Sequence, residues 1–290
     1  MAAEKGMGLI PQARPYLDQE DEAAILKAFR SGHIAAGDEV VLFEGELARL
    51  LVVEETVAVA SGFAALHLAL RGLGLGSGDE AVVPCVSTCA AMRDAVLACN
   101  AVPVFADTAP CSLNLSADTV AGVLSPRTRA ILCPHHGGVP ADLGPILDLG
   151  IPVVEDCAQA IGASYRGRSV GTWGAAGVFS FYPTKLLTTV DGGAVTATAP
   201  GALERIRDLR YYGDKWDAVP RLNYKMQNLH AALGRSQLRK LPSLLERRKT
   251  IGERYRTVLR EEGFPEEGFL PAPRESVLFR FCFRVPAAQR

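Results

Sequence analysis

Short apolar runs alternate with amphipathic stretches from residue 57 to residue 198, and this alternation predicts an α/β fold with a mostly parallel central sheet and helices on both faces. Composition agrees: 48% hydrophobic and 22% charged residues suit an ordinary globular chain with a sizeable core. Length agrees too, since 290 residues accommodate one large domain with a smaller partner. After Ala202 the pattern turns helical and ends on a strand-like run, which adds to that fold a small, incomplete C-terminal α/β domain.

The elements follow in order. Residues 18–31 are acidic first and basic later, with Ala24, Ile25, Ala28 and Phe29 at helical spacing, and predict a helix ending near Gly32. Residues 39–51 predict a second helix, with Val40, Phe43, Leu47, Leu50 and Leu51 on one face. Residues 57–60 read as a short strand. Ser61-Gly62 then opens a helix over 64–73, which Gly74, Gly76 and Gly78 terminate. Strands over 81–84, 102–107, 130–133 and 153–156 alternate with helices over 90–100, 119–124 and 143–149. Residues 178–181 and 193–198 add two strands with a short connection. Helices over 203–209, 228–238 and 241–262 follow, the last rich in Arg and expected to leave the large domain. The tail from Phe264 holds Pro265, Pro271 and Pro273 and then a strand-like run over 278–285. A lone strand is not stable, so the chain reads as cut short. The expected division is a large domain over 1–240, including the N-terminal helical segment, and the start of a small domain over 241–290.

Bulk properties exclude several function classes. A net charge of −1 leaves no nucleic-acid footprint and no polybasic membrane patch. Residues 1–14 lack the apolar core of a signal peptide, and no run approaches a membrane span. The seven cysteines contain no C-x-x-C pair and sit mostly in apolar stretches, as reduced structural thiols of a cytoplasmic protein do. Cys133-Pro134-His135-His136 has metal-binding residue types, but no second cluster with matching spacing, so no metal is expected.

The chemistry concentrates in two places. Val153-Val154-Glu155-Asp156 is an apolar strand ending in acid, and Phe179-Ser180-Phe181-Tyr182-Pro183-Thr184-Lys185 is an apolar strand leading to a lysine. Pyridoxal phosphate (PLP) needs both. A lysine amine forms a Schiff base with its aldehyde, and a carboxylate keeps its ring nitrogen protonated. Apolar neighbours of Lys185 favour the neutral, nucleophilic amine. Ser61-Gly62-Phe63 joins a strand to a helix and suits a phosphate at the helix N-terminus; a plain Ser61 N-cap is the alternative. Gln159 sits on the Asp156 loop within reach of a cofactor ring hydroxyl. Gly192-Gly193 permits a tight backbone turn near the ligand. His135 and His136 follow a strand and precede Gly137-Gly138; loop packing is the favoured reading, and lining the site is the alternative.

These segments, with Gly171-Thr172-Trp173-Gly174, Asp191-Gly192-Gly193 and Asn223-Tyr224-Lys225-Met226, make the chain resemble the DegT/StrS family of PLP-dependent sugar aminotransferases, which have the aspartate-aminotransferase fold. The resemblance runs from about Ile10 to the end. It implies that Lys185 is the Schiff-base lysine and proton shuttle, and that Asp156 binds the pyridine nitrogen with Gln159 against the ring. It implies that Gly62, Phe63 and Ser180 hold the phosphate, and that Asn223 reaches the phosphate site of a neighbouring copy in a homodimer. Glutamate as amino donor and a keto sugar, nucleotide-linked, as acceptor follow from the same resemblance; a cyclitol ketone is a further candidate acceptor. Departures are visible. Phe63 replaces a usual Thr. No aromatic residue follows Pro84, so Thr88 is the nearest residue for stacking on the ring. Leu186 replaces a usual Asn, and the family continues past Arg290. Two other readings stay open: a PLP-dependent sugar dehydratase, whose relatives carry His at the Lys185 position, and a degenerate paralogue without turnover.

Overall fold

The apolar runs form the strands of one seven-stranded sheet in the computed structural model, which describes residues 11, 13–86, 90–110, 112–213, 215–264 and 274–282. Its strands are β1 (Val57–Val59), β2 (Glu80–Pro84), β3 (Val102–Ala106), β4 (Thr128–Pro134) and β5 (Val153–Asp156). A small hairpin of β6 (Ser164–Tyr165) and β7 (Arg168–Ser169) interrupts the series before β8 (Ala176–Ser180) and β9 (Gly193–Ala197) complete it. The spatial order is β1-β9-β8-β5-β4-β2-β3. Pairs among β3, β2, β4, β5 and β8 are parallel, whereas β9 runs antiparallel to both β8 and β1. The short connection between β8 and β9 forces that reversal, because a parallel return needs a long crossover.

Helices cover both faces. They are α1 (Gln19–Arg30), α2 (Asp38–Leu51), α3 (Gly62–Gly72), α4 (Ala90–Ala98), α5 (Ala117–Ala121), α6 (Leu143–Leu147), α7 (Ala202–Leu209) and α8 (Asn228–Glu261). On one face Leu66, Leu68, Met92, Val96 and Ile206 from α3, α4 and α7 pack on Leu132, Val154 and Val178. On the other, Phe43, Leu47, Leu143, Ile146 and Leu241 from α2, α6 and α8 pack on Ile131, Val153 and Phe179. Alternate residues of β4 and β5 therefore serve opposite cores, as the two-residue period of a strand requires. The N-terminal α1 is closed by a capping box between Asp18 and Asp21 and docks on α8, where Lys240 pairs with both acids.

Two expectations are corrected. The helices expected over 228–238 and 241–262 are one continuous helix, α8, which runs through Pro242. Proline removes one hydrogen bond in a helix interior. Here Leu238 and Leu241 before it and Leu245 after it all pack on the same core, which holds both halves in line. The strand-like run is not a strand over 278–282; residues 283–290 lie outside the described residues. Its backbone docks on a loop instead: Val277 N–H donates to Gly138 O and Arg280 N–H to Gly137 O. Just before it, β10 (Arg274–Glu275) pairs antiparallel with β6. The β6–β7 hairpin, for which the sequence offered no expectation, turns at Arg166 and Gly167, both with positive φ.

Candidate active site

Strands β4, β5 and β8 are parallel neighbours, so Pro134, Asp156 and Ser180 reach the same sheet edge, the carboxyl edge where open α/β sheets bind ligands. A cavity of about 500 Å³ opens there. Ser61, Gly62, Phe63, Asp156, Gln159, Ser180 and Lys185 all line it. Thr88 lies outside the described residues. Asn223 is exposed and is not among the lining residues; it bridges to Tyr211 in the segment preceding α8.

One wall is the N-terminus of α3. Ser61 is extended (φ −162°) and its Oγ accepts the Ala64 N–H at 3.1 Å, while its carbonyl accepts Ala65 N–H. The first two helical amides, Gly62 and Phe63, have no partner within the helix. Ser180 closes against this turn: a Cβ on Gly62 would stand 2.7 Å from Ser180 Cβ and 2.8 Å from its Oγ. Only glycine permits that approach. The result is a concave set of backbone donors, a helix dipole and a hydroxyl, which suits an anion.

Asp156 ends β5, 8% exposed, with Oδ1 accepting the Ala158 N–H at 2.9 Å. Burial raises its pKa above the ordinary carboxylate value, against the opposing pull of the Ala158 N–H and the Lys185 charge. Gln159 Oε1 accepts the Gly137 N–H at 2.8 Å, so its NH2 end is the donor end. Lys185 follows β8 in a turn closed by its own N–H on Tyr182 O at 2.8 Å. Its Nζ lies 5.7 Å from the centre of the Phe279 ring.

Behind this wall Glu155 is fully buried and carries a structural load. Oε1 accepts the N–H groups of Trp173 and Gly174, and Oε2 accepts that of Gly171, each at 2.7 Å. His135 Nε2 lies 3.1 Å from Oε2, and His135 Nδ1 accepts the Ala141 N–H at 3.0 Å. An accepting Nδ1 places the ring proton on Nε2, directed at Glu155. His135, Glu155 and Cys157 thus bring ligand-type atoms within 4.8 Å of one another in a closed hydrogen-bonded cluster. Burial also drives the Cys157 thiol pKa well up, so it stays protonated. Among the described residues Cys85, Cys99, Cys133, Cys157 and Cys282 are free thiols.

His135 and His136 both line the cavity, the less favoured of the two readings the sequence offered for them, and the residue that spacing missed is Phe279 beside Lys185. No local pattern marks Phe279, because it arrives from a distant segment of chain. Among the described residues no helix is long and apolar enough to cross a membrane.

Solved structures of similar shape share this arrangement of chain. The aminotransferase TlmJ from Streptoalloteichus hindustanus is 36% identical and superposes with a TM-score of 0.88, over 93% of this chain and 77% of that one. DesV from S. venezuelae is also 36% identical, with a TM-score of 0.84 over 92% of this chain and 76% of its own. Helicobacter pylori PseC, an aminotransferase involved in the biosynthesis of pseudoaminic acid, is 26% identical with a TM-score of 0.85, over 93% and 76%. The sheet, the carboxyl-edge cavity and a family match spanning residues 15–290 together establish that the chain belongs to the DegT/DnrJ/EryC1/StrS aminotransferase family.

Proposed function

We propose that the protein is a PLP-dependent transaminase of amino-sugar biosynthesis that moves the amino group of glutamate onto a nucleotide-linked keto sugar. The observation that carries this reading is the convergence of Asp156 and Lys185 on one cavity beside the α3 N-terminus.

The side chains fit the cofactor. The amides of Gly62 and Phe63, with Ser61 and Ser180, would hold its phosphate; Phe63 supplies a backbone donor only. The Asp156 carboxylate would face the pyridine nitrogen, and pairing with that cation offsets the burial that otherwise favours its neutral form. Gln159 would donate from its NH2 end to the ring hydroxyl. The cofactor, when bound, supplies an aldehyde that captures primary amines and a cationic ring that draws electrons from the neighbouring carbon.

The remaining work falls to the chain. Lys185 Nζ would hold the aldehyde at rest and, once released by the incoming amine, would take the proton from the donor's α-carbon and return it to the carbon two bonds away, across the transferred nitrogen. Asp156 would preserve the ring cation. The net exchange is glutamate plus keto sugar to 2-oxoglutarate plus amino sugar. Asn223, outside the cavity, would reach the phosphate site of a second copy in a homodimer. The cofactor site then belongs to residues 1–240, with 241–290 beginning a smaller domain, in a cytoplasmic enzyme.

Absorbance tests the reading. PLP added to the protein should give the visible band of a lysine-bound cofactor, and L-glutamate should bleach it. Lys185→Ala should show no such band. A band that persists in Lys185→Ala, or one that glutamate leaves untouched in the wild type, sinks the proposal.

A further inference from the structure

Along β5 and β8, Val154 and Val178 face the core shared with α3 and α4. Two residues further on, Asp156 and Ser180 are on that same side at the sheet edge. The space between Asp156 and the α3 amides is bounded by Ala158 and Val178 near the strands and by Phe63, Leu66, Ala91 and Met92 from the helices. Neither the rest of α3 nor the stretch from Cys85 to Ala101, which includes α4, contains another Phe, Tyr or Trp. Phe63 is half-buried and braced by a row of rings. His67, one turn along α3, lies 6.1 Å from it between ring centres, tilted by 42°. The His67 ring in turn meets Tyr224 edge-on at 5.9 Å, with Nδ1 3.3 Å from Tyr224 Oη. Tyr224 is tied by its backbone: its carbonyl accepts the Ala60 N–H at 2.8 Å, and its N–H donates to Arg210 O at 2.9 Å. Close packing of this kind limits the positions open to the phenyl group.

We propose that the Phe63 ring covers the pyridine ring of bound PLP, so that residue 63 holds the cofactor twice, by its amide at the phosphate and by its aromatic face. This rests on the PLP reading of the cavity and deepens it. The phosphate of PLP hangs from its ring by one methylene and one oxygen. A residue whose amide meets that phosphate therefore has the pyridine ring within reach of a phenyl side chain. Asp156 keeps the pyridine nitrogen protonated, and a cationic ring is attracted by the electron-rich face of a phenyl group. A threonine at position 63 would offer the phosphate a hydroxyl and leave the pyridine ring to Leu66, Ala91 and Met92, which have no π-face. This chain exchanges one hydrogen bond to phosphate for one aromatic contact to the ring.

The test titrates PLP into the full chain and follows the visible band, with inorganic phosphate as competitor and melting of the cofactor-free protein as a check on folding. Phe63→Leu keeps the amide and the apolar bulk but removes the π-face. It should weaken PLP about 5- to 30-fold and displace the band maximum, while the affinity for inorganic phosphate changes by less than about 2-fold. Phe63→Tyr restores an aromatic face and should recover most of the PLP affinity. Phe63→Met repeats the comparison if the Leu variant does not fold. Undiminished PLP affinity with an undisplaced band in the Leu or Met variant overturns the inference alone. Equal weakening of PLP and inorganic phosphate also overturns it, because Phe63 then acts through the turn of amides and not through its ring. A wild type that forms no visible band with PLP overturns the PLP reading, and this inference with it.

Discussion

Glu155 and Asp156 are consecutive on β5 and have opposite environments. Glu155 accepts three backbone N–H groups and faces His135, whereas Asp156 accepts one N–H and lines the cavity. Alternation along a strand separates them: one carboxylate is saturated by protein and fixes the loop over 171–174, and its neighbour remains available to a ligand.

Glu155→Ala should therefore be severe. It strands the buried amides of Gly171, Trp173 and Gly174 together with His135 Nε2. Each unsatisfied buried group costs about 1–3 kcal/mol, so the four together cost roughly 4 kcal/mol or more. The melting temperature should fall by about 10 °C. Glu155→Gln keeps one oxygen acceptor and should lose about half as much. Thermal denaturation of the two variants checks the order.

Asp156→Asn should separate stability from activity. The folded-state pKa of Asp156 is raised by burial, so its ionised form costs stability once the pH rises through that pKa. Without cofactor at pH 7, the Asn variant should melt about 2–4 °C above the wild type. That advantage should shrink as the pH falls and vanish below 3.8, where the wild-type carboxyl is protonated in both states. Transamination should nevertheless drop by roughly 10²-fold or more, the scale of losing one preorganised electrostatic group. Melting curves across pH, with single-turnover bleaching by glutamate, measure both halves. An Asn variant that melts lower at pH 7 contradicts the sign.

The strands carrying Asp156 and Lys185 were legible because a sheet covered on both faces leaves an unbroken apolar run, as in Val153 and Val154 and again in Val178 and Phe179. The lysine and the acid were legible because strand ends gather at one edge. Three features were hidden for physical reasons. Pro242 reads locally as a stop, yet Leu238, Leu241 and Leu245 bind one core and carry α8 through it. The apolar run after Pro273 reads as a strand, yet over 278–282 it takes its hydrogen bonds from a loop. Phe279 approaches Lys185 only through that docking, and such a tertiary contact has no sequence period.

Gly62→Ala tests the fit between α3 and Ser180. The added methyl meets Ser180 Cβ at 2.7 Å, and both are anchored, one by a helix and one by a strand. Overpacking of this kind costs about 1–3 kcal/mol. PLP affinity, read by titration of the visible band, should fall about 10-fold because the donor amides move with the turn. Removing the opposing side chain with Ser180→Gly should restore most of the stability in the double variant. If the double variant is no more stable than Gly62→Ala alone, steric conflict is not the cause.

Acid should unfold the protein by way of its buried histidines. His67, on α3, lies 3.3 Å through Nδ1 from Tyr224 Oη; burial, with Arg71 nearby, lowers its pKa below the usual 6.5. Burial likewise lowers His136, beside Arg280, and His230, where Asp191 opposes the shift. A histidine with a depressed folded pKa contributes stability that is present above 6.5 and lost as pH falls through the folded value, because the unfolded chain takes the proton first. The melting temperature should decline by about 5 °C or more between pH 7.5 and 5.5, above the range in which carboxylates of ordinary pKa titrate. His67→Leu removes one of the titrating groups without adding charge, so its melting temperature should depend less steeply on pH over this interval. A slope identical to the wild type would place the acid sensitivity elsewhere and leave His67 as a packing residue alone.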